Sequence, residues 1–175
     1  MDVIHTVDFE TPIGSLRIAS TSTGLAYVQL PHANGRGFDG WRTRHAKTAA
    51  VKQGFEPNRL YVTQIREFLE GKREEFDLPL DVRGTEFQVA VYGELAKIPF
   101  GETRTYGEVA EALGRPTATR AVGAANGANP ISLVLPCHRV IATSGQLQGY
   151  GGGLDLKAKL LAMERSLKGE QGRLL

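Results

Sequence analysis

Thr105-Tyr106-Gly107-Glu108-Val109-Ala110-Glu111-Ala112-Leu113-Gly114-Arg115-Pro116-Thr117-Ala118-Thr119-Arg120-Ala121-Val122-Gly123-Ala124-Ala125-Asn126 is the stretch from which the rest of the chain can be read. Thr105 and Glu108 stand at capping-box spacing, where hydroxyl and carboxylate each satisfy an orphan N–H at a helix start, so a helix is expected over residues 108–113. Gly114 stops it. Arg115-Pro116-Thr117 leads into a second helix over residues 118–126. Two short helices joined by a tight, glycine-containing turn are the arrangement of a helix-turn-helix. The second helix is lined with small residues (Ala118, Ala121, Gly123, Ala124, Ala125), and Arg120 is its one long cation. A surface of that kind can approach a nucleic-acid groove and push one side chain into the stack. The same residues would equally suit a helix packed tightly in a core with a solvated arginine.

Downstream, Asn126-Gly127-Ala128-Asn129-Pro130 breaks the helix, and the apolar run at 131–135 reads as a strand leading into Leu135-Pro136-Cys137-His138-Arg139-Val140. Cys137 is the only cysteine of the chain. A lone cysteine most often fills space in a core. A thiol becomes a nucleophile only as thiolate, and an ordinary pKa of about 8.5 must be lowered by an imidazole, a cation or a helix terminus. His138 and Arg139 are such groups. Residues 142–145 read as a turn, and Gly149-Tyr150-Gly151-Gly152-Gly153 as a glycine-rich loop, which lacks the lysine and hydroxyl residue that end a phosphate-binding P-loop. A last helix over 154–166 turns Leu156, Leu160, Leu161 and Met163 inward and carries Glu164; residues 167–175 are expected to fray.

Upstream, Thr85-Glu86-Phe87-Gln88 is another capping box, opening a helix with Phe87, Val91, Leu95 and Ile98 on one face. Leu60, Val62, Ile65, Phe68 and Leu69 recur at helical steps and Gly71 closes that run. Asp81-Val82-Arg83-Gly84 is the expected boundary between a first domain, 1–84, and a second, 85–175. Residues 3–9, 16–19 and 25–30 are short β-rich runs separated by turn signals, a β meander. Pro31 to Gly40 is a loop, and residues 41–54 carry too little periodicity to place.

The chain has 175 residues, 41% of them hydrophobic and 23% charged, the balance of an ordinary globular protein. No apolar run approaches the roughly 20 residues of a membrane span, and the start has neither the basic nor the apolar region of a signal peptide, so the protein is expected in the cytoplasm. One cysteine makes no internal disulfide and no multi-thiolate zinc site, and four scattered histidines give no reason to expect a metal. The net charge of +2 says little about nucleic acid by itself. From Ala112 to Leu154, however, there is no Asp or Glu, where the overall rate would place roughly five, while Arg115, Arg120, His138 and Arg139 lie inside that window.

Pro136-Cys137-His138-Arg139-Val140 after Asn129-Pro130, with Arg120-Ala121-Val122-Gly123 upstream and Tyr150-Gly151-Gly152-Gly153 downstream, resembles the O6-alkylguanine-DNA alkyltransferases, also called methylated-DNA–protein-cysteine methyltransferases. The resemblance is detailed from Gly84 to about Ser166 and looser before that, through Thr11-Pro12-Ile13-Gly14. It implies an α+β chain, with a small ribonuclease H-like α/β domain followed by a helical winged helix-turn-helix domain that carries the active-site cysteine. Cys137 would accept the alkyl group of O6-alkylguanine, and of O4-alkylthymine, irreversibly. His138 would draw off its proton through a water, Glu164 would orient His138, and Asn129 would brace the turn before the active-site strand. Arg120 would fill the space of the flipped-out base, and Tyr106 would press on the phosphate and hydrogen-bond the purine. Ala121, Gly123, Ala124 and Arg139 would meet DNA or substrate, while Val140, Tyr150, Gly151 and Gly152 would line the base pocket. The implied partner is double-stranded DNA containing alkylated bases. No cofactor, metal or membrane is implied, and the protein would be a monomer in solution, with cooperative assembly on DNA left open. Family members with a zinc site in the first domain use cysteines absent here, and Ser132 stands where some carry a proline.

Three rivals are weighed against this. A damage-binding relative without alkyl transfer would lack the reactive cysteine. A helix-turn-helix regulator needs polar base-reading side chains, where this helix has alanine and glycine. A Cys-His thiol hydrolase needs an oxyanion hole, for which no motif speaks.

Overall fold

The computed structural model describes residues 2–31, 37–147, 150 and 152–174, with side chains through residue 169. Its chain divides into two compact units, Met1–Gly84 with Pro130–Val134, and Thr85–Asn129 with Leu135–Leu175.

In the first unit the meander forms as expected. Strands β1 (Val3–Thr11) and β2 (Gly14–Ser20) pair antiparallel from His5↔Ser20 to Thr11↔Gly14, and β3 (Leu25–Gln29) continues the sheet. Gly24 makes this possible: a Cβ there would sit 2.4 Å from the Pro79 carbonyl, where Leu25 N–H donates to Pro79 O. Helix α1 (Gly37–His45) begins inside the loop expected over Pro31–Gly40 and runs into the stretch that periodicity could not place, which also holds strand β4 (Ala50–Gln53). β4 lies parallel to β1, giving the order β3-β2-β1-β4. A parallel partner needs a crossover, and α1 supplies it, burying Phe38 and Trp41 on Ile4, Ala19 and Ala26. Helix α2 (Arg59–Leu69) buries Val62, Ile65, Phe68 and Leu69. Leu60, expected on that face, is half exposed; Tyr61 and Gln64 are inside instead, and Gln64 exchanges hydrogen bonds with the Asp77 backbone.

The second unit is helical. Both capping boxes are formed: Thr85 with Gln88 opens α3 (Glu86–Leu95), and Thr105 with Glu108 opens α4 (Tyr106–Ala112), two residues earlier than read from the pattern. Helix α5 (Thr119–Gly127) follows the turn, completing the helix-turn-helix. Two-residue strands β5 (Arg104–Thr105) and β6 (Val140–Ile141) pair in parallel. Helix α6 runs Leu154–Leu174, so the expected fray at 167–174 is helix; extending a formed helix fixes only one residue per added bond. Among the described residues no helix is long and apolar enough to cross a membrane.

The cysteine is not on a strand. Pro136 (φ −78°, ψ 67°) makes an inverse γ-turn in which Cys137 N–H donates to Leu135 O at 2.7 Å. Cys137–Arg139 is then one 3-10 turn, closed by Val140 N–H on Cys137 O. The apolar run before it holds Leu133 at φ +75°, which no strand tolerates.

Candidate active site

The 3-10 turn presents three consecutive buried side chains, Cys137, His138 and Arg139. Such a turn spaces residues about 120° apart, so neighbours in sequence point in different directions. His138 and Arg139 converge nevertheless on one acceptor. Glu164, 1% exposed on α6, receives His138 Nε2 on Oε2 at 2.5 Å and Arg139 Nε on Oε1 at 2.8 Å. A second Arg139 nitrogen reaches Oε2 at 3.1 Å, and the third donates to Ile98 O at 2.7 Å. Gly101, at φ +80°, turns its N–H onto Glu164 Oε1 at 3.0 Å.

The electrostatics follow from these bonds. Burial raises the Glu164 carboxyl, but the bonds and charges of His138 and Arg139 overcome that and hold it down at about 2. Burial pushes His138 below its ordinary value, and the Arg139 and Lys157 charges add to that against the pull of Glu164. The site therefore holds a carboxylate clamped by an arginine, beside a neutral imidazole. With Nε2–H given to Glu164, the imidazole lone pair is on Nδ1, the atom able to take a proton.

Two asparagines fix the backbone around the sulfur. Asn129 Nδ2 donates to Leu135 O at 2.7 Å, and buried Asn126 donates to Cys137 O at 3.4 Å. Tyr106, first residue of α4, is half-buried, and burial followed by the Cys137 charge raises its phenol. The Tyr150 side chain is buried, its phenol raised well above the ordinary value by burial first and then by Cys137 and Glu164. Among the described residues its hydroxyl has no hydrogen-bond partner. Val140 is buried and Gly152 half-buried; Gly151 lies outside the described residues.

On α5, Arg120, Ala121 and Ala124 are exposed, while Val122, Ala125 and Asn126 are buried. The small residues are thus divided: Ala121 and Ala124 lie with Arg120 on the outer face, while Ala125 packs inside. Gly123 is half-buried, and a Cβ there would lie 3.9 Å from the Tyr106 ring. Arg139 differs from expectation: the resemblance implies that it meets DNA or substrate, but it is buried and its guanidinium is held by Glu164 and Ile98.

Sequence reasoning missed Lys157, Asn126 and Gly101. Lys157 is fully buried, and its Nζ donates to Val140 O at 2.6 Å. The signal was available: Lys157, Leu160, Leu161 and Glu164 stand at i, i+3, i+4 and i+7, one stripe of α6. No group of three or more His, Cys, Asp or Glu that could hold a metal occurs among the described residues.

Two family models match the chain. One, 6-O-methylguanine DNA methyltransferase, ribonuclease-like domain, covers residues 4–82, and the other, 6-O-methylguanine DNA methyltransferase, DNA binding domain, covers residues 86–166. A methylated-DNA–protein-cysteine methyltransferase of Mycolicibacterium paratuberculosis is 47% identical over 92% of this chain and 91% of its own. An inducible one of Bacillus subtilis is 39% identical over 87% and 86%. The crystal structure of Mycobacterium tuberculosis OGT in complex with DNA superposes with a TM-score of 0.80 at 41% identity, covering 93% of this chain and 94% of that one.

Proposed function

This chain belongs to the 6-O-methylguanine DNA methyltransferase family, and we propose that it repairs alkylated DNA by moving the alkyl group from O6-alkylguanine onto Cys137. The observation that carries this assignment to residues is the buried Glu164 carboxylate that holds His138 and Arg139 beside the single cysteine.

The O6 substituent is hidden within a duplex, so the nucleotide must leave the stack, at a cost of a few kcal/mol that a poorly paired lesion reduces. Arg120, exposed on the smooth face of α5, takes the vacated place, with Ala121, Gly123 and Ala124 allowing close approach. The extruded base meets Tyr106, Val140, Tyr150, Gly151 and Gly152. His138 Nδ1 takes the Cys137 proton through a water, leaving the electron pair on sulfur. That pair forms the S–C bond to the alkyl carbon as the C–O6 bond breaks, and its electrons leave with the purine, which takes a proton from the Tyr106 hydroxyl. O4-alkylthymine would react in the same way.

The product is a thioether, which water does not readily cleave, and the chain holds no second thiol to remove the alkyl group. Each molecule therefore reacts once, and the protein is a monomer in solution, in the reducing cytoplasm that keeps its thiol free. With methylated duplex in excess, repaired guanine should level off at one equivalent per protein molecule. Continued turnover would favour the thiol hydrolase reading.

A further inference from the structure

A four-residue turn that follows α3 meets the Glu164 carboxylate, and no step above makes use of it. Glu102 N–H donates to Pro99 O at 3.1 Å, and Gly101, third of the four residues, stands at φ +80° while Phe100 before it does not have positive φ. This is a type II turn, whose central peptide is flipped relative to the commoner type I. The flip sends the Gly101 N–H onto Glu164 Oε1 at 3.0 Å. The same segment reaches Arg139 twice. Ile98 O takes one guanidinium nitrogen at 2.7 Å, and the Phe100 ring centre lies 5.6 Å from the guanidinium carbon.

Two separate constraints require glycine at this position. A left-handed backbone disfavours any residue that carries a Cβ. A Cβ on Gly101 would also lie 2.5 Å from Cδ of Lys168, which stands one turn beyond Glu164 on α6. A residue that refuses the left-handed region would turn the Phe100–Gly101 peptide over, and the Phe100 carbonyl, not an N–H, would then be set against the carboxylate. The consequence would be repulsion where there is now a bond.

We propose that Gly101 is a positioning residue for alkyl transfer: its N–H pins Glu164 Oε1, so that Oε2 faces His138 Nε2 and the ring keeps the orientation that proton transfer at Nδ1 requires. This rests on Cys137 being the alkyl acceptor. Gly101 touches no reacting atom and acts through Glu164. Arg139 does not duplicate it. Its Nε bonds Oε1 at 2.8 Å and a second nitrogen bonds Oε2 at 3.1 Å, so the guanidinium spans both oxygens and can follow the carboxylate as it rotates. A backbone N–H within a closed turn cannot follow it, and it therefore sets the angle.

The His138 Nε2–H, shared with Glu164 across 2.5 Å, should give a far-downfield proton resonance that can be read without DNA. Lys168→Ala clears the space over Gly101 and serves as the parent. In that parent, Gly101→Asn, which accepts the left-handed region, should leave the resonance in place. Gly101→Val, which does not accept it, should move the resonance upfield as the bond lengthens. Single-turnover alkyl transfer from a free O6-alkylguanine base should slow by roughly tenfold or more in Gly101→Val and return most of the way in Gly101→Asn. The same resonance in both variants, kept or lost alike, overturns the proposal. If Gly101→Val fails to fold, glycolic acid at position 101 exchanges only the N–H for an ester oxygen and should move the resonance upfield; an unmoved resonance there overturns the proposal too. Since the resonance is read without a lesion, a protein that shows these shifts but transfers no alkyl group would refute the function and not the positioning.

Discussion

Glu164 Oε2 lies 2.5 Å from His138 Nε2, with neither side chain more than 1% exposed. Two groups that titrate near or below neutrality are thus joined in the interior, and a second, permanent cation, Arg139, is held at 2.8 Å by the other carboxylate oxygen. Removing the carboxylate charge by Glu164→Gln leaves that guanidinium buried without its counter-ion, which typically costs about 3–5 kcal/mol. Chemical denaturation should show a loss of that order, with alkyl transfer slowed in the protein that remains folded. A loss below about 1 kcal/mol would mean the clamp is not stabilising the turn.

Acid should weaken the fold through this same pair. The Glu164 carboxyl, held at about 2 against an ordinary 4.5, stays unprotonated where the unfolded chain takes up a proton. Its stabilisation, up to about 3 kcal/mol, is therefore complete above pH 4.5 and is lost as pH falls towards 2. His138, below its ordinary 6.5, acts in the same direction, since the unfolded chain binds a proton below that pH and the fold does not. Urea midpoints measured from pH 7 to pH 3 should fall continuously in the wild type and less steeply in Glu164→Gln; parallel profiles would contradict the pairing.

Arg120 and Arg139 should separate cleanly. Arg120→Ala removes the side chain that replaces the extruded base, so reaction with lesion-bearing duplex should slow by roughly tenfold or more while reaction with a free O6-alkylguanine base is spared. Equal losses on both substrates would contradict that role. The salt dependence of duplex binding should be unchanged in Arg139→Lys, because the guanidinium is buried on Glu164 and neutralises no phosphate, whereas Arg120→Ala or Arg115→Ala flattens the slope by up to about one.

The carbonyl braces should matter more than their exposure suggests. Asn129→Ala removes the side-chain donor at 2.7 Å and leaves Leu135 O with the Cys137 N–H alone, at a cost of about 0.5–1.5 kcal/mol, and loosens the turn that carries the sulfur. Asn126→Ala, with a 3.4 Å bond, should cost less in stability. Thermal unfolding and single-turnover rates of the two variants rank them; the reverse order would contradict the brace.

What could be read from sequence was local chemistry with a fixed spacing. Thr85 with Gln88 and Thr105 with Glu108 mark helix starts because a capping box needs only four residues to be recognised. β4 was not legible: it is an edge strand with exposed Ala50, Lys52 and Gln53, so it has no alternation to detect. α1 hides for a similar reason, since only Phe38 and Trp41 of its nine residues are buried. The run before Cys137 is apolar enough for a strand, but periodicity does not report a backbone that turns at Leu133 and Pro136. In the site, Cys137, His138 and Glu164 were found through motif and resemblance. Arg139 was assigned to the DNA or substrate and Lys157 was passed over, because a charged side chain is presumed to face outward, and only the fold shows which acceptor draws each of them inside.

Alkyl transfer to Cys137 is tested most directly by intact-mass spectrometry after incubation with a duplex containing O6-methylguanine. The protein should gain one methyl group and no more, peptide mapping should place it on Cys137, and Cys137→Ser should gain none. A wild-type protein that stays unmodified while the lesion disappears, or a methyl group that persists in Cys137→Ser, would contradict the assignment.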